Sequence, residues 1–172
     1  MAKADSSIEP RILEFARKEF LNCGYKKASL KTICQNAGVT TGAFYKRFSC
    51  KEELLQAIIT PTLFEFEERL KKSEWQDSMM PDWCVLFVLD HSDVFRLLLM
   101  CQEMGLCMPR LGKLTEVVIY KQKQSRNIDQ QRIALAAKAY LNGLITIAKY
   151  DDMNLSEAMR CKTHLNKLIY LA

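Results

Sequence analysis

Glycine and proline are scarce in this chain, six and four among 172 residues. No low-complexity stretch or long flexible linker interrupts it, and no segment gives a sustained run of strand alternation. No run of 18 apolar residues exists, which excludes a transmembrane helix. The longest apolar patch, residues 85–89, is far too short to cross a bilayer. The opening residues MAKADSSIEPR are polar and lack the apolar core of a secretory signal. The expectation is a cytoplasmic protein with no membrane partner. The seven cysteines are odd in number and form no C-x-x-C pair, which argues against a disulfide framework and for reduced, mostly buried thiols. Only two histidines are present and no H-E-x-x-H occurs. No nucleophile, base and oxyanion-donor set is visible, so no enzyme, cofactor or metal is expected.

What is abundant is apolar side chain and, locally, positive charge. Hydrophobic residues make up 49% of the chain, enough for a sizeable core in one large domain or two small ones. Residues 1–51 carry ten Lys/Arg and four Asp/Glu, a net +6, whereas 52–172 carry fifteen and sixteen. Between Leu21 and Lys51 there is no acid, while Lys26, Lys27, Lys31, Lys46, Arg47 and Lys51 all fall there. Such a one-sided excess suits a polyanion partner, or else a solvated basic face.

Helical periodicity runs throughout. Ile12, Leu13, Ala16 and Phe20 share one face of a first helix over about 10–22, ended by Gly24. Ser29 caps a second helix carrying Leu30, Ile33, Cys34 and Ala37 inward, ended by Gly38. Thr40 caps a third with Phe44, Tyr45 and Phe48. Ser49-Cys50-Lys51-Glu52 has the form of a capping box that opens a fourth helix, with Leu54, Leu55, Ile58 and Ile59 inside it. Pro61 predicts a kink or break. Beyond residue 73 helices are expected over 81–89, 94–104, 110–124, 129–150 and 156–171, with Ser92 capping the second of these.

Residues 29–55, SLKTICQNAGVTTGAFYKRFSCKEELL, form a helix-turn-helix pattern. Cys34 is the small residue where the two helices touch, Gly38 makes the turn, and Val39 and Phe44 lock the pair. Thr40, Thr41, Gly42, Ala43 and Lys46 are left on the outer side of the third helix. They are short and, apart from Lys46, uncharged, so this helix can sit deep in a major groove. The ordered set Arg11-Ile12-Leu13, Ala16, Phe20, Gly24-Tyr25, Ile33, Ala37-Gly38-Val39, Gly42, Phe44-Tyr45, Phe48 and Lys51-Glu52-Glu53-Leu54-Leu55 resembles the N-terminal domain of the Tet repressor (TetR/AcrR) family. The resemblance covers about a quarter of the chain. Cys34 departs from the family's usual Ala, and Cys50 from its usual polar residue.

The resemblance implies an all-α fold, with a helix-turn-helix DNA-binding domain over 1–52 and a helical regulatory and dimerisation domain over 53–172. It implies that Thr40, Tyr45 and Lys51 bond DNA phosphates. Thr41, Gly42, Ala43 and Lys46 then face base edges, Lys31 reaches a base or phosphate, and Ser29 touches the backbone while capping its helix. The implied function is a ligand-responsive regulator, most often a repressor. It binds a pseudo-palindromic double-stranded operator as a homodimer and responds to a small apolar or amphipathic ligand.

In the C-terminal part, candidate pocket residues are Phe64, Trp83, Phe87, Phe95, Leu99, Met100, Met104, Leu114 and Tyr120, each of which could equally be plain core. Two helical stripes suit a four-helix dimer interface: Ile133, Ala137, Tyr140, Leu141, Leu144 and Ala148, then Ala158, Cys161, Leu165 and Leu168. Ala136, Ala139 and Gly143 are small enough for close helix approach. The other reading packs both stripes inside one subunit. Two further readings compete. One is a metal or thiol sensor built on Cys84, Cys101, Cys107, Cys161, His91 and His164, in which Cys161 and His164 share a helix face. The other is a helical protein-interaction module without DNA binding.

Overall fold

The computed structural model describes residues 7–75, 80–106, 108–125, 130–150 and 153–171; side chains at 124, 125, 130–134 and 166–171 lie outside that description. Among the described residues the chain forms helices and no strand. They are α1 (Ile8–Lys27), α2 (Leu30–Asn36), α3 (Thr41–Tyr45), α4 (Lys51–Lys72), α5 (Trp83–Asp90), α6 (Ser92–Glu103), α7 (Pro109–Ser125), α8 (Gln130–Ile147) and α9 (Leu155–Leu171). The all-α expectation holds. The chain divides into two compact units, Met1–Thr60 and Pro61–Ala172, and the division falls within α4.

In the first unit α2 packs on both α1 and α3. The predicted inward residues Ile12, Ala16, Phe20, Ile33, Cys34, Ala37, Phe44 and Phe48 are all buried, with Leu54, Leu55, Ile58 and Ile59 of α4. Gly24, at φ 77° and ψ 159°, breaks the helix where a stop is expected, but one more helical turn follows and α1 extends to Lys27. Pro61 lacks an N–H and removes one hydrogen bond, yet α4 continues through it to Lys72.

The capping box of α4 is shifted by one residue from its expected place. The helix starts at Lys51, so Cys50 stands at the cap and its Sγ accepts from Glu53 N–H at 3.5 Å. Glu53, rather than Glu52, reaches back: its Oε2 accepts from both the N–H and the hydroxyl of Ser49, each at 2.6 Å. These bonds hold the Glu53 carboxyl below its usual range, the Ser49 hydroxyl contributing most. A thiol thus takes the position where a harder acceptor is usual.

In the second unit α8 is the central helix, packed against α5, α6, α7 and α9. Phe66 of α4 sits within 5.9 Å of the rings of Trp83, Phe87 and Phe95. The α5 start moves from Pro81 to Trp83, with residues 81–82 forming a turn that accepts from Cys84 and Val85 N–H. Ser92 is the first residue of α6 rather than its cap, which is His91. Asn154 and Glu157 make a reciprocal capping box at α9: Asn154 Oδ1 accepts from Glu157 N–H at 3.0 Å, and Glu157 Oε2 from Asn154 N–H at 3.2 Å. Glu67, buried on α4, accepts from Lys71 at 2.7 Å and from Arg110 at 2.7 Å. Lys71 first and Arg110 with it hold the Glu67 carboxyl below its usual range despite burial.

The stripes assigned to a dimer interface need correction. Ala137, Tyr140, Leu141, Leu144, Ala148 and Ala158 are all buried within the single chain, because α8 spends that face on four neighbouring helices. Gly143 serves the same intramolecular packing: a methyl group there would overlap the side chain of Leu165 on α9. Cys161 is exposed and Leu165 half-buried. The side chains of Ile133 and Leu168 lie outside the described residues.

Candidate nucleic-acid interface

The helix-turn-helix is built from backbone bonds that its sequence supplies. At the end of α2, Gly38 N–H donates to Gln35 C=O at 3.1 Å and Val39 N–H to Cys34 C=O at 2.9 Å. This paired closure needs a left-handed residue between them, and Gly38 has φ 64°. Ser29 Oγ accepts from Thr32 N–H at 3.4 Å, and Thr40 Oγ1 from Ala43 N–H at 3.1 Å, so both caps form as expected. Each is worth about 1 kcal/mol. Phe44 is fully buried and meets Phe48 at 5.7 Å and Tyr45, edge-on, at 5.3 Å.

The opposite side of α3 is open. Thr40, Thr41, Gly42, Tyr45 and Lys46 are exposed and Ala43 is half-buried. Tyr45 shows 60% of its surface. Lys31 is exposed and Ser29 half-buried at the start of α2. The acids that flank this stretch are turned to backbone. Glu19 Oε1 accepts from Ser29 N–H at 3.1 Å, and Glu53 is held by Ser49. Two of the acids nearest the cationic surface are thus engaged with neighbouring N–H and O–H donors.

Lys51, expected at a phosphate, is also engaged within the chain. Its Nζ donates to Ala28 C=O at 3.1 Å and to Lys26 C=O at 3.4 Å, and lies 4.6 Å from the centre of the Tyr25 ring. It ties the start of α4 to the carbonyl end of α1. Arg47 Nη1 likewise donates to Ala43 C=O of α3 at 3.2 Å. The Lys51 tie is not legible from spacing, since Lys51 and its acceptors are more than twenty residues apart.

The residues expected to line an apolar pocket do not form one set. Phe87, Phe95 and Leu114 are core, and Trp83, Leu99, Met100 and Met104 are half-buried. Phe64 and Tyr120 are not core: they are 49% and 60% exposed. Phe64 lies under the Arg110 guanidinium, 4.9 Å away. Tyr120 borders an open cleft of about 420 Å³ with Glu67, Lys71, Lys113, Glu116, Val117 and Lys121. That lining was missed, although Lys113, Val117 and Lys121 repeat at helical spacing. A second cleft of about 320 Å³ lies among Gln102, Leu106, Leu111, Lys138 and Leu141.

Among the described residues no three His, Cys, Asp or Glu side chains converge as a metal site, and no helix is long and apolar enough to cross a membrane. Cys84 and Cys101 are buried, whereas Cys161 and His164 are exposed. Burial drives the Cys84 thiol far above its usual range. Cys107 lies outside the described residues.

An all-helical chain with an N-terminal helix-turn-helix and an open, cation-bordered third helix belongs to the class of helix-turn-helix proteins. Residues 12–58 match the family described as bacterial regulatory proteins, tetR family. The chain is 36% identical over 74 residues to the HTH-type transcriptional regulator UidR of Escherichia coli K12, covering 41% of this chain and 38% of that one. It is 37% identical over 76 residues to TtgR of Pseudomonas putida, covering 44% and 36%. The chain thus aligns with under two fifths of the length of these relatives. Over nearly its whole length it shares the fold of Salmonella enterica GusR, with a TM-score of 0.64, 20% identity and 98% of each chain covered. A gamma-butyrolactone receptor shares the fold at a TM-score of 0.56 and 18% identity, with 95% and 96% covered.

Proposed function

We propose that this protein is a ligand-responsive, DNA-binding transcriptional regulator, acting as a repressor. The single observation that carries this reading is the outward face of α3. Its exposed short side chains, its exposed Tyr45 and the absence of any acid between Leu21 and Lys51 suit entry into a major groove. Thr41, Gly42, Ala43 and Lys46 read base edges. Thr40, Tyr45, Lys31 and Ser29 bond phosphate oxygens, while Lys51 braces the start of α4 against the end of α1.

The chain works as a homodimer that sets two copies of α3 in successive major grooves about 34 Å apart. One helix-turn-helix alone would neutralise too few phosphates for tight binding. Since the described residues of the α8 stripe are buried, the second subunit packs on the outward side of α8 and α9, where Leu135 and Cys161 are exposed. Residues 1–52 read DNA and 53–172 regulate and dimerise, in the cytoplasm. Helix α4, which runs from one unit into the other, carries the ligand's effect to the reading heads.

The test is an electrophoretic shift on the DNA upstream of the protein's own coding sequence. Thr41→Ala should alter sequence preference more than total affinity. Tyr45→Phe should weaken binding to all duplexes, by about tenfold for each lost phosphate bond. No shift of any duplex at low salt would end the reading.

A further inference from the structure

Helices α4 and α7 are joined by polar links near both ends of α7. Near its start, Arg110 Nη1 donates to Glu67 Oε2 at 2.7 Å and covers the Phe64 ring. Near its end, Lys121 Nζ donates to Ser73 C=O at 2.7 Å. The two anchors are about 16 Å apart along the helix. The cleft of about 420 Å³ opens beside them, within the range of small-molecule sites, about 300–1,000 Å³.

Its chemistry is lopsided. Val117 and the exposed Tyr120 ring supply apolar surface, on which a flat ring can lie. Glu67 is already saturated by Lys71 and Arg110. Lys71 spends two of its donors on Glu67 and Glu68, and Lys121 one on Ser73. Lys113 is exposed and has no partner among the described residues. Every lysine in the lining therefore keeps donor capacity, whereas Glu116 is the one lining carboxylate without a cation.

The geometry points to this cleft as a binding site for a flat organic anion, its ring against Val117 and Tyr120 and its charged group beside Lys113. Glu116 opposes the anion and sets a ceiling on its affinity. As the ligand class of the regulatory unit, this inference rests on the regulator reading above.

The experiment uses the full chain without DNA and two fluorescent probes that share one ring system. One is anilinonaphthalene sulfonate; the other is the uncharged phenylnaphthylamine. The sulfonate should bind once per chain and about tenfold more tightly, the worth of one charge-assisted hydrogen bond. Lys113→Gln should erase that preference, and Glu116→Gln should enlarge it. Neither change should move the neutral probe. Both positions are exposed, so folding is preserved, and far-ultraviolet circular dichroism verifies it. Equal affinity for the two probes, or an unchanged sulfonate affinity in Lys113→Gln, overturns the inference. A chain that prefers the sulfonate but shifts no DNA keeps the cleft and loses the regulator. A chain that shifts DNA without that preference keeps the regulator and loses the cleft.

Discussion

Replacing Lys51 by Met retains much of the apolar stem and removes the ammonium. Three contacts are lost. The bond to Ala28 C=O, at 3.1 Å and partly buried, is charge-assisted, and such bonds contribute about 1.5–3 kcal/mol at full strength. Partial exposure reduces that. The bond to Lys26 C=O is long and exposed at 3.4 Å and adds little. The contact with the Tyr25 ring contributes about 0.5–1 kcal/mol at such a site. A loss of about 1–2 kcal/mol is expected, measured by urea unfolding followed by circular dichroism at constant m. Because the tie aligns α1 with α4 and not α3 with DNA, the salt dependence of DNA binding should be nearly unchanged. A phosphate ligand would instead flatten the slope by about 0.9 for each contact removed. Tyr25→Leu should couple to Lys51→Met in a double-mutant cycle. Unchanged stability together with a flatter salt slope would refute the strut and restore the simple phosphate role.

Other outcomes follow from particular contacts. Cys50→Ser gives α4 a stronger cap and should raise stability by about 0.5–1 kcal/mol, seen as a higher urea midpoint. Iodoacetamide at pH 8 should modify exposed Cys50 in the native protein and reach Cys84 only after unfolding, as peptide mass mapping will read. Glu67 has a folded pKa below its ordinary value near 4.5. Its contribution is therefore full above that value and fades as pH falls through the lowered one, so Glu67→Gln should flatten the loss of stability below about pH 4.5. Gly143→Ala should be less favourable by about 1 kcal/mol in the natural chain than in a Leu165→Ala background, where the overlap is gone and the gain in helix propensity remains.

The division of labour between chain and fold is visible in single residues. Ser29, Gly38 and Thr40 act on backbone within a few positions of themselves. Their caps and turn, and with them the open face of α3, were therefore legible as local chemistry. So were the inward faces of the first helices, since helical period and apolarity point the same way. Cys50 escaped because a capping box displaced by one residue also satisfies the pattern when the cap is sulfur.

What periodicity could not assign was the partner of each apolar face. Ala137, Tyr140 and Leu144 form the same stripe whether a second subunit or the same chain covers it, and only the packing of α8 against four neighbours decided for the chain itself. The ties of Lys51 to Ala28 and of Arg110 to Glu67 bridge 23 and 43 positions. Hydrogen bonds and burial are short-ranged in space but indifferent to sequence distance. Local order could thus be read from the chain, whereas the residues that meet across it were settled by the tertiary structure.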